Sequence, residues 1–263
     1  MAVLHGAESQ FRQTVTGEFA RHDPIALNLV RQFDAAAPSW DTEHGPASAR
    51  ACEFLARIRY LRGVCRKLGQ PRVLDIGCGT GQLLVALSSV IASGVGVDIS
   101  GAMVQCARRA ARGGRLRFAV ADAVRFCNDC EEFFDLVLLI GVLEHLPDQE
   151  SAVAALRRVL KPRGRLVVIS PHPWSLLLRL KHLVPTGRAI PPTKHLSPHR
   201  VTAAAQRHGF ELAAIHAIPY APWAALSSVF ARVPATGLPG RKSPFTGCLR
   251  GAFAAEFTPA VAA

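Results

Sequence analysis

The chain has 263 residues, 49% apolar and 19% charged, so it is neither disordered nor fibrous and is long enough to bury a sizeable core. Its net charge of +12 is unevenly held: residues 1–150 carry 16 basic and 17 acidic side chains, residues 151–263 carry 15 and 2. That asymmetry implies an anionic ligand or surface beside the second part, such as a membrane, a nucleic acid or an acidic small molecule.

The first residues, MAVLHGAESQF, lack a basic segment and a long apolar run, which excludes a secretory signal and points to the cytoplasm. Asp23-Pro24 caps a helix that runs to about Phe33. A loop with Pro38 and Gly45-Pro46 follows, then a helix over 47–68 with Phe54, Leu55, Ile58, Leu61 and Leu68 at helical spacing and Gly69 as its stop. These elements make an N-terminal helical cap, residues 1–70. From residue 72, strands (72–76, 94–98, 116–120, 134–140, 165–170) alternate with helices (81–91, 101–112, near 123–130, 149–160). This alternation is that of an α/β domain with a parallel sheet covered by helices on both faces. The runs VLLI (137–140) and LVVI (166–169) have the continuous apolar character of strands buried on both sides. The seven cysteines are scattered and odd in number, so they read as reduced thiols; Cys127 and Cys130 lack the second pair of a four-thiolate zinc site, and no metal is expected.

Residues 171–197 interrupt the alternation with an insert carrying WSLLLRLKHLV (174–184). On a helical wheel its Leu residues form one apolar arc rimmed by basic residues. That suits a helix lying in an anionic membrane interface, and equally one packed on the sheet or on a second copy. A helix opened by Ser197-Pro198 and a strand, FELAAIHAI (210–218), complete the core, residues 71–218. The charge-free stretch 212–231 contains Pro219 and Pro222 and reads as strand and loop, not a membrane span. Residues 219–263 form a C-terminal extension with no readable pattern.

The strongest chemical signal is VLDIGCGTG at 73–81. An apolar strand delivers Asp75, and Gly77, Gly79 and Gly81 let the backbone turn tightly and approach a ligand. Asp98, at the end of the next strand, can accept both hydroxyls of a ribose. The third glycine comes one residue too early for a dinucleotide fingerprint, Gln82 standing in its place, and no Lys-Ser/Thr follows for a phosphate loop. D-x-G-x-G-x-G is instead the pattern of S-adenosylmethionine-dependent methyltransferases.

Residues 30–218 resemble the class I, Rossmann-like methyltransferases. VLDIGCGTG is similar to their first motif, VDIS (97–100) to their ribose-binding strand end, and Asp122-Ala123 to the pair beside the adenine. FDLVLLIGVLEHLPD (134–148) is similar to their fourth strand and active-site loop, LKPRGRLVVIS (160–170) to their fifth strand. The resemblance implies a seven-stranded, mostly parallel sheet. It also implies S-adenosylmethionine contacts at Asp75, Gly77, Gly79, Gly81, Asp98, Ile99, Met103, Asp122, Ala123 and Ile140. FDAAAPSWDTEH (33–44), RIRYL (57–61), LEHLPD, VPTG (184–187) and HLSP (195–198) resemble, more narrowly, the ubiquinone-pathway O-methyltransferases. That resemblance sets Arg57 at the cofactor's carboxylate, although Arg59 departs from the group's small residue.

Methyl transfer requires the protein to orient an acceptor and remove its proton. His145, after the fourth strand, is a candidate base for a hydroxyl, with loop capping or pocket shaping as the competing reading. His172 is a second candidate. Glu144 reads as structural, bonding backbone amides. The expected acceptor is a lipophilic small molecule bearing a hydroxyl, such as a quinone precursor, reached from the cytoplasm or from a membrane surface. A nucleic-acid methyltransferase and a non-catalytic cofactor-binding protein are the alternatives. Sparse aromatics among the basic residues, and no N-P-P-[FY] motif after the fourth strand, argue against nucleic acid.

Overall fold

A computed structural model describes residues 24–48, 51–171, 196–218 and 252–260. Among the described residues three helices come first: α1 (Pro24–Ala36), α2 (Trp40–His44) and α3 (Ala51–Lys67). Strands and helices then alternate: β1 (Arg72–Ile76), α4 (Gln82–Leu87), β2 (Ser93–Asp98), α5 (Gly101–Ala110), β3 (Leu116–Val120), α6 (Ala123–Asp129) and β4 (Phe134–Ile140). After a 3₁₀ turn at Leu143–His145 come α7 (Gln149–Val159), β5 (Leu160–Pro171), α8 (Pro198–Arg207), β6 (Phe210–Ile218) and β7 (Ala252–Pro259). The strands make one seven-stranded sheet in the order β3-β2-β1-β4-β5-β7-β6. Neighbours from β3 to β5 are parallel, and β7 runs antiparallel to both β5 and β6. This is the Rossmann-like methyltransferase fold.

The two-residue period of a strand sorts the apolar runs onto two faces. Leu74, Ile76, Val95, Val97, Val137 and Leu139 face a core closed by Phe126 of α6, Val153 and Leu156 of α7 and Val201 of α8. Val73, Leu136, Leu138, Val167 and Ile169 face a second core closed by Ile58 and Leu61 of α3, Leu84 and Leu87 of α4 and Val104 of α5. Leu61, Leu74, Leu84 and Leu87 are fully buried, each contributing about 1.5–3 kcal/mol through the water it leaves. Asp122, Asp148 and Ser197 cap the amides that open α6, α7 and α8, each contributing about 1 kcal/mol.

Three elements depart from the sequence expectation. The helix expected over 81–91 ends at Leu87 after six residues, where Ser88 N and Val90 N bond the Val85 and Leu87 carbonyls in tighter three-residue turns. The fifth strand begins at Leu160, not 165, since Leu160 pairs with Phe134 across a register shift between Phe134 and Leu136. Inside the expected loop, Trp40–His44 forms one helical turn.

The boundary drawn at residue 218 leaves out a strand that the sheet includes. β7 lies between β5 and β6 and carries Glu256, 5% exposed, into the interior. Three residues compensate it. Tyr60 Oη donates to Glu256 Oε1 at 2.7 Å, Arg165 Nη1 lies 3.1 Å from Oε2, and His216 Nε2 lies 3.4 Å from Oε1. Burial and the Glu256 carboxylate together push the Tyr60 phenol up. The apolar insert at 174–184 lies outside the described residues, as does His172. No helix among the described residues is long and apolar enough to cross a membrane.

Candidate cofactor and acceptor site

The carboxyl ends of the parallel strands gather the residues singled out from the sequence. β1 delivers Asp75 and then the glycine loop, in which Gly77, Gly79 and Gly81 all hold positive φ (71°, 53° and 76°). Space forbids a side chain at two of them as well. A Cβ on Gly77 would stand 2.1 Å from Val142 Cγ2, and one on Gly81 would strike Ala107 and the Phe118 ring. Gly77 and Cys78 donate to the Val97 carbonyl at 2.7 and 3.0 Å, which ties the loop to β2.

Asp98 ends β2 and is 9% exposed. Its Oδ2 accepts from Gly79 N at 2.8 Å and its Oδ1 from Ser100 N at 2.9 Å. One carboxylate thus fixes the glycine loop and the entry to α5 together. Each oxygen keeps lone-pair capacity for a further donor. Asp75 is 2% exposed; burial first, and then the neighbouring Asp98 charge, push its carboxyl up to about 8. Burial also pushes Asp98 up, against the opposing pull of the Ser100 and Gly79 amides.

The other expected contacts lie at the same strand ends and on the helices that follow them. Ile99 is half-buried directly after Asp98, Ala123 opens α6, Ile140 ends β4 half-buried, and Met103 on α5 is 1% exposed. Asp122 Oδ1 accepts from Val124 N and Arg125 N, so it caps α6. Arg57, on α3, sets its charge beside Glu144. Glu144 is 4% exposed, and burial pushes its carboxyl up. Its Oε2 accepts from Ser170 Oγ at 2.7 Å, joining the loop after β4 to the end of β5, and it also bonds its own backbone amide.

His145 closes the 3₁₀ turn after β4. Burial holds its imidazole below the usual value, and its Nδ1 is buried with no hydrogen-bond partner among the described residues. The Phe33 ring meets it edge-on, centroids 5.7 Å apart. Phe33 in turn meets Trp40 at 5.9 Å, and Trp40 stacks on His44 at 4.0 Å.

Sequence reasoning assigned no role to the residues that hold this N-terminal segment over the loop. Asp34 Oδ1 accepts from Ser100 Oγ, and from Ala102 N at 3.1 Å. Asp41 Oδ1 accepts from Thr80 Oγ1 in the glycine loop. The Trp40 indole nitrogen is 3.6 Å from where a Cβ of Gly79 would stand, and Gly45 packs on Gln82. The one available signal was the string FDAAAPSWDTEH, whose resemblance was noted without a role for either aspartate.

Comparisons with known proteins agree with this geometry. Residues 74–168 match a family model described as "Methyltransferase domain". The chain is 32% identical over 155 residues to a ubiquinone biosynthesis O-methyltransferase of Alkalilimnicola ehrlichii, covering 57% of this chain and 63% of that one. It is 25% identical over 201 residues to the enzyme of the same name from Xanthomonas axonopodis pv. citri, covering 73% and 84%. Magnesium protoporphyrin IX methyltransferase from Synechocystis PCC 6803, solved with bound S-adenosylhomocysteine, superposes with a TM-score of 0.60 at 18% identity. That superposition covers 90% of this chain and all of the other.

The cofactor is S-adenosylmethionine, and the residues fit it. At Gly79 the loop backbone lies open, the nearest described atom to a Cβ's place being the Trp40 indole nitrogen at 3.6 Å, and Asp98 retains acceptor capacity for the two ribose hydroxyls. The glycine loop would hold the amino-acid tail.

Proposed function

We propose that this chain, a class I S-adenosylmethionine-dependent methyltransferase, methylates a hydroxyl of a lipophilic small molecule such as a quinone precursor. The observation that carries the proposal is His145. It stands at the carboxyl end of β4, where open α/β sheets take their ligands, with a buried Nδ1 that has no hydrogen-bond partner among the described residues. The two relatives named as ubiquinone biosynthesis O-methyltransferases support the acceptor class.

When bound, the cofactor supplies a methyl group already activated on a sulfonium sulfur. The chain supplies position and a base. Asp98 and the glycine loop fix the donor, and Phe33 and Trp40 wall the adjoining space against water. His145 is lowered by burial and therefore neutral at pH 7. It accepts the proton of the acceptor hydroxyl as the methyl–oxygen bond forms. Ser170 and Glu144 anchor the loop that presents it. The same proposal places the reaction in the cytoplasm at an anionic membrane surface, supported by the 15 basic against 2 acidic residues after position 150.

His145→Ala should lower kcat by about 10²–10⁴ while cofactor affinity, read by calorimetry, stays nearly intact. The acid limb of the wild-type kcat profile should fall below pH 6.5, because burial lowers this imidazole. A loss of kcat under about threefold, well short of a general base's contribution, makes His145 a wall of the pocket. Lipid extracts of a deletion strain, analysed by mass spectrometry, should accumulate the unmethylated acceptor.

A further inference from the structure

A histidine that takes a proton must keep one ring orientation and one tautomer. A carboxylate or a carbonyl bonded to its other nitrogen ordinarily fixes both. His145 Nδ1 is buried and has no such partner among the described residues. Its ring meets carbon instead. The Phe33 ring stands perpendicular to the imidazole, with centroids 5.7 Å apart and planes at 90°.

The neighbours of Phe33 make it a fixed surface. Trp40 packs on it, centroids 5.9 Å apart and planes at 64°. Trp40 is itself held, stacked on His44 at 4.0 Å and with its indole nitrogen beside Gly79 of the glycine loop. The backbone is tied down at the next residue, where Asp34 accepts from Ser100 Oγ and Ala102 N. A run of packed rings thus leads from the cofactor loop to the imidazole, and Phe33 is its last member.

The turn that carries His145 is set against the same loop. Val142, which opens it, places Cγ2 2.1 Å from where a Cβ of Gly77 would stand. The Leu143 carbonyl accepts from Leu146 N at 3.4 Å and from Gln149 Nε2 at 2.8 Å. The Glu144 carboxylate is engaged by Ser170. These contacts fix the backbone of the turn and leave the rotation of the imidazole to what packs on it.

We propose that Phe33 is a positioning residue for proton transfer: its ring holds the His145 imidazole in the orientation that meets the acceptor hydroxyl. In that step the acceptor oxygen bonds the methyl carbon, the carbon–sulfur bond leaves its electron pair on sulfur, and the hydroxyl proton goes to His145. A carboxylate in the place of Phe33 would orient the ring and also draw it toward its charged form. A hydrocarbon ring orients without that pull and leaves the imidazole free to accept a proton. The proposal rests on the reading of His145 as the base.

The test is a double-mutant cycle in the full chain, with hexylcatechol as the acceptor probe and release of S-adenosylhomocysteine as the rate. Phe33→Leu keeps an apolar side chain and removes the ring. It should lower kcat at least about tenfold, the scale of a slightly misplaced reacting group. The KM for hexylcatechol and the calorimetric affinity for S-adenosylmethionine should change less than about twofold. In the His145→Ala background Phe33→Leu should cost less than about twofold, because the ring it positions is gone. A loss under about threefold for His145→Ala alone removes the base, and this proposal with it. A loss for Phe33→Leu that is as large in the His145→Ala chain as in the wild type, or that falls on KM alone, leaves the base standing and overturns this proposal only, making Phe33 a wall of the acceptor pocket. NMR titration of the imidazole needs no acceptor. Burial lowers this group, so Phe33→Leu should leave it lowered and Phe33→Ala, which admits water, should move it up toward the ordinary histidine value. A titration unmoved in Phe33→Ala would show that Phe33 does not cover the imidazole, which also overturns the proposal.

Discussion

Two parts of one sheet bury carboxylates, and they treat them differently. Near one end of the strand order, Asp98 lies in the interior among backbone amides, and Asp75 lies there with Asp98 as its charged neighbour. Near the other end, Glu256 meets Arg165, Tyr60 and His216. A buried charge costs several kcal/mol unless it is paired. Compensation at Glu256 is what a structural pin requires, since β7 must be held between β5 and β6. Leaving Asp75 and Asp98 without counter-charges disfavours their ionised forms, and burial accordingly pushes both carboxyls up. Buried acids without partners therefore mark the functional end of this sheet, and a buried acid with partners marks the structural end.

The contrast breaks most visibly at Glu256. Glu256→Gln leaves Arg165 without its counter-charge and should lower unfolding stability by about 2–3 kcal/mol in urea melts. S-adenosylmethionine affinity should stay unchanged; a variant that melts like the wild type would remove the structural half of the comparison. Asp98→Ala should do the reverse, cutting S-adenosylmethionine affinity at least tenfold, about 1.4 kcal/mol, while the fold survives. Tighter binding of NAD than of S-adenosylmethionine by the wild type would contradict the cofactor assignment.

Asp75 sharpens the comparison through pH. Its carboxyl is raised to about 8 in the folded chain, against about 3.9 when unfolded. Between those values the folded state binds more protons than the unfolded state. The stability of the free protein should therefore decline as pH rises from about 4 to about 8, by at most about 1.4 kcal/mol per pH unit from this group. Asp75→Asn should flatten that decline in melts at pH 5–8, with Asp98, also raised, keeping part of it. A slope equal to the wild type's would mean that Asp75 ionises like an exposed acid.

Much of the fold was legible because the parallel strands are apolar on both faces and bounded by glycine, proline or a cap. The expected limits of β1, β3, β4 and β6 coincide with those in the structure. β7 was not legible. AFAAEFTP has a charge at its centre, and partners as far as 91 and 196 residues away explain why that charge can be buried. The glycine loop and Asp98 could be read because their chemistry is local to one strand–turn–helix unit. Asp34 and Asp41 could not. Their partners, Ser100 and Thr80, lie 66 and 39 residues on, and two aspartates in a short helical segment look like any solvated pair.

The place of β7 in the strand order also governs how the molecule assembles as it leaves the ribosome. Strands β1 to β5 pair with one another once residue 171 has emerged. Among the described residues β6 pairs with β7 alone, so it must wait until residues 252–259 are made. Through that interval β5 presents an unpaired edge, the kind of surface on which nascent chains join to one another. Synthesis speed across roughly the final third of the message, and any chaperone that covers β5 meanwhile, should therefore set the yield of folded protein more than changes in the glycine-loop half.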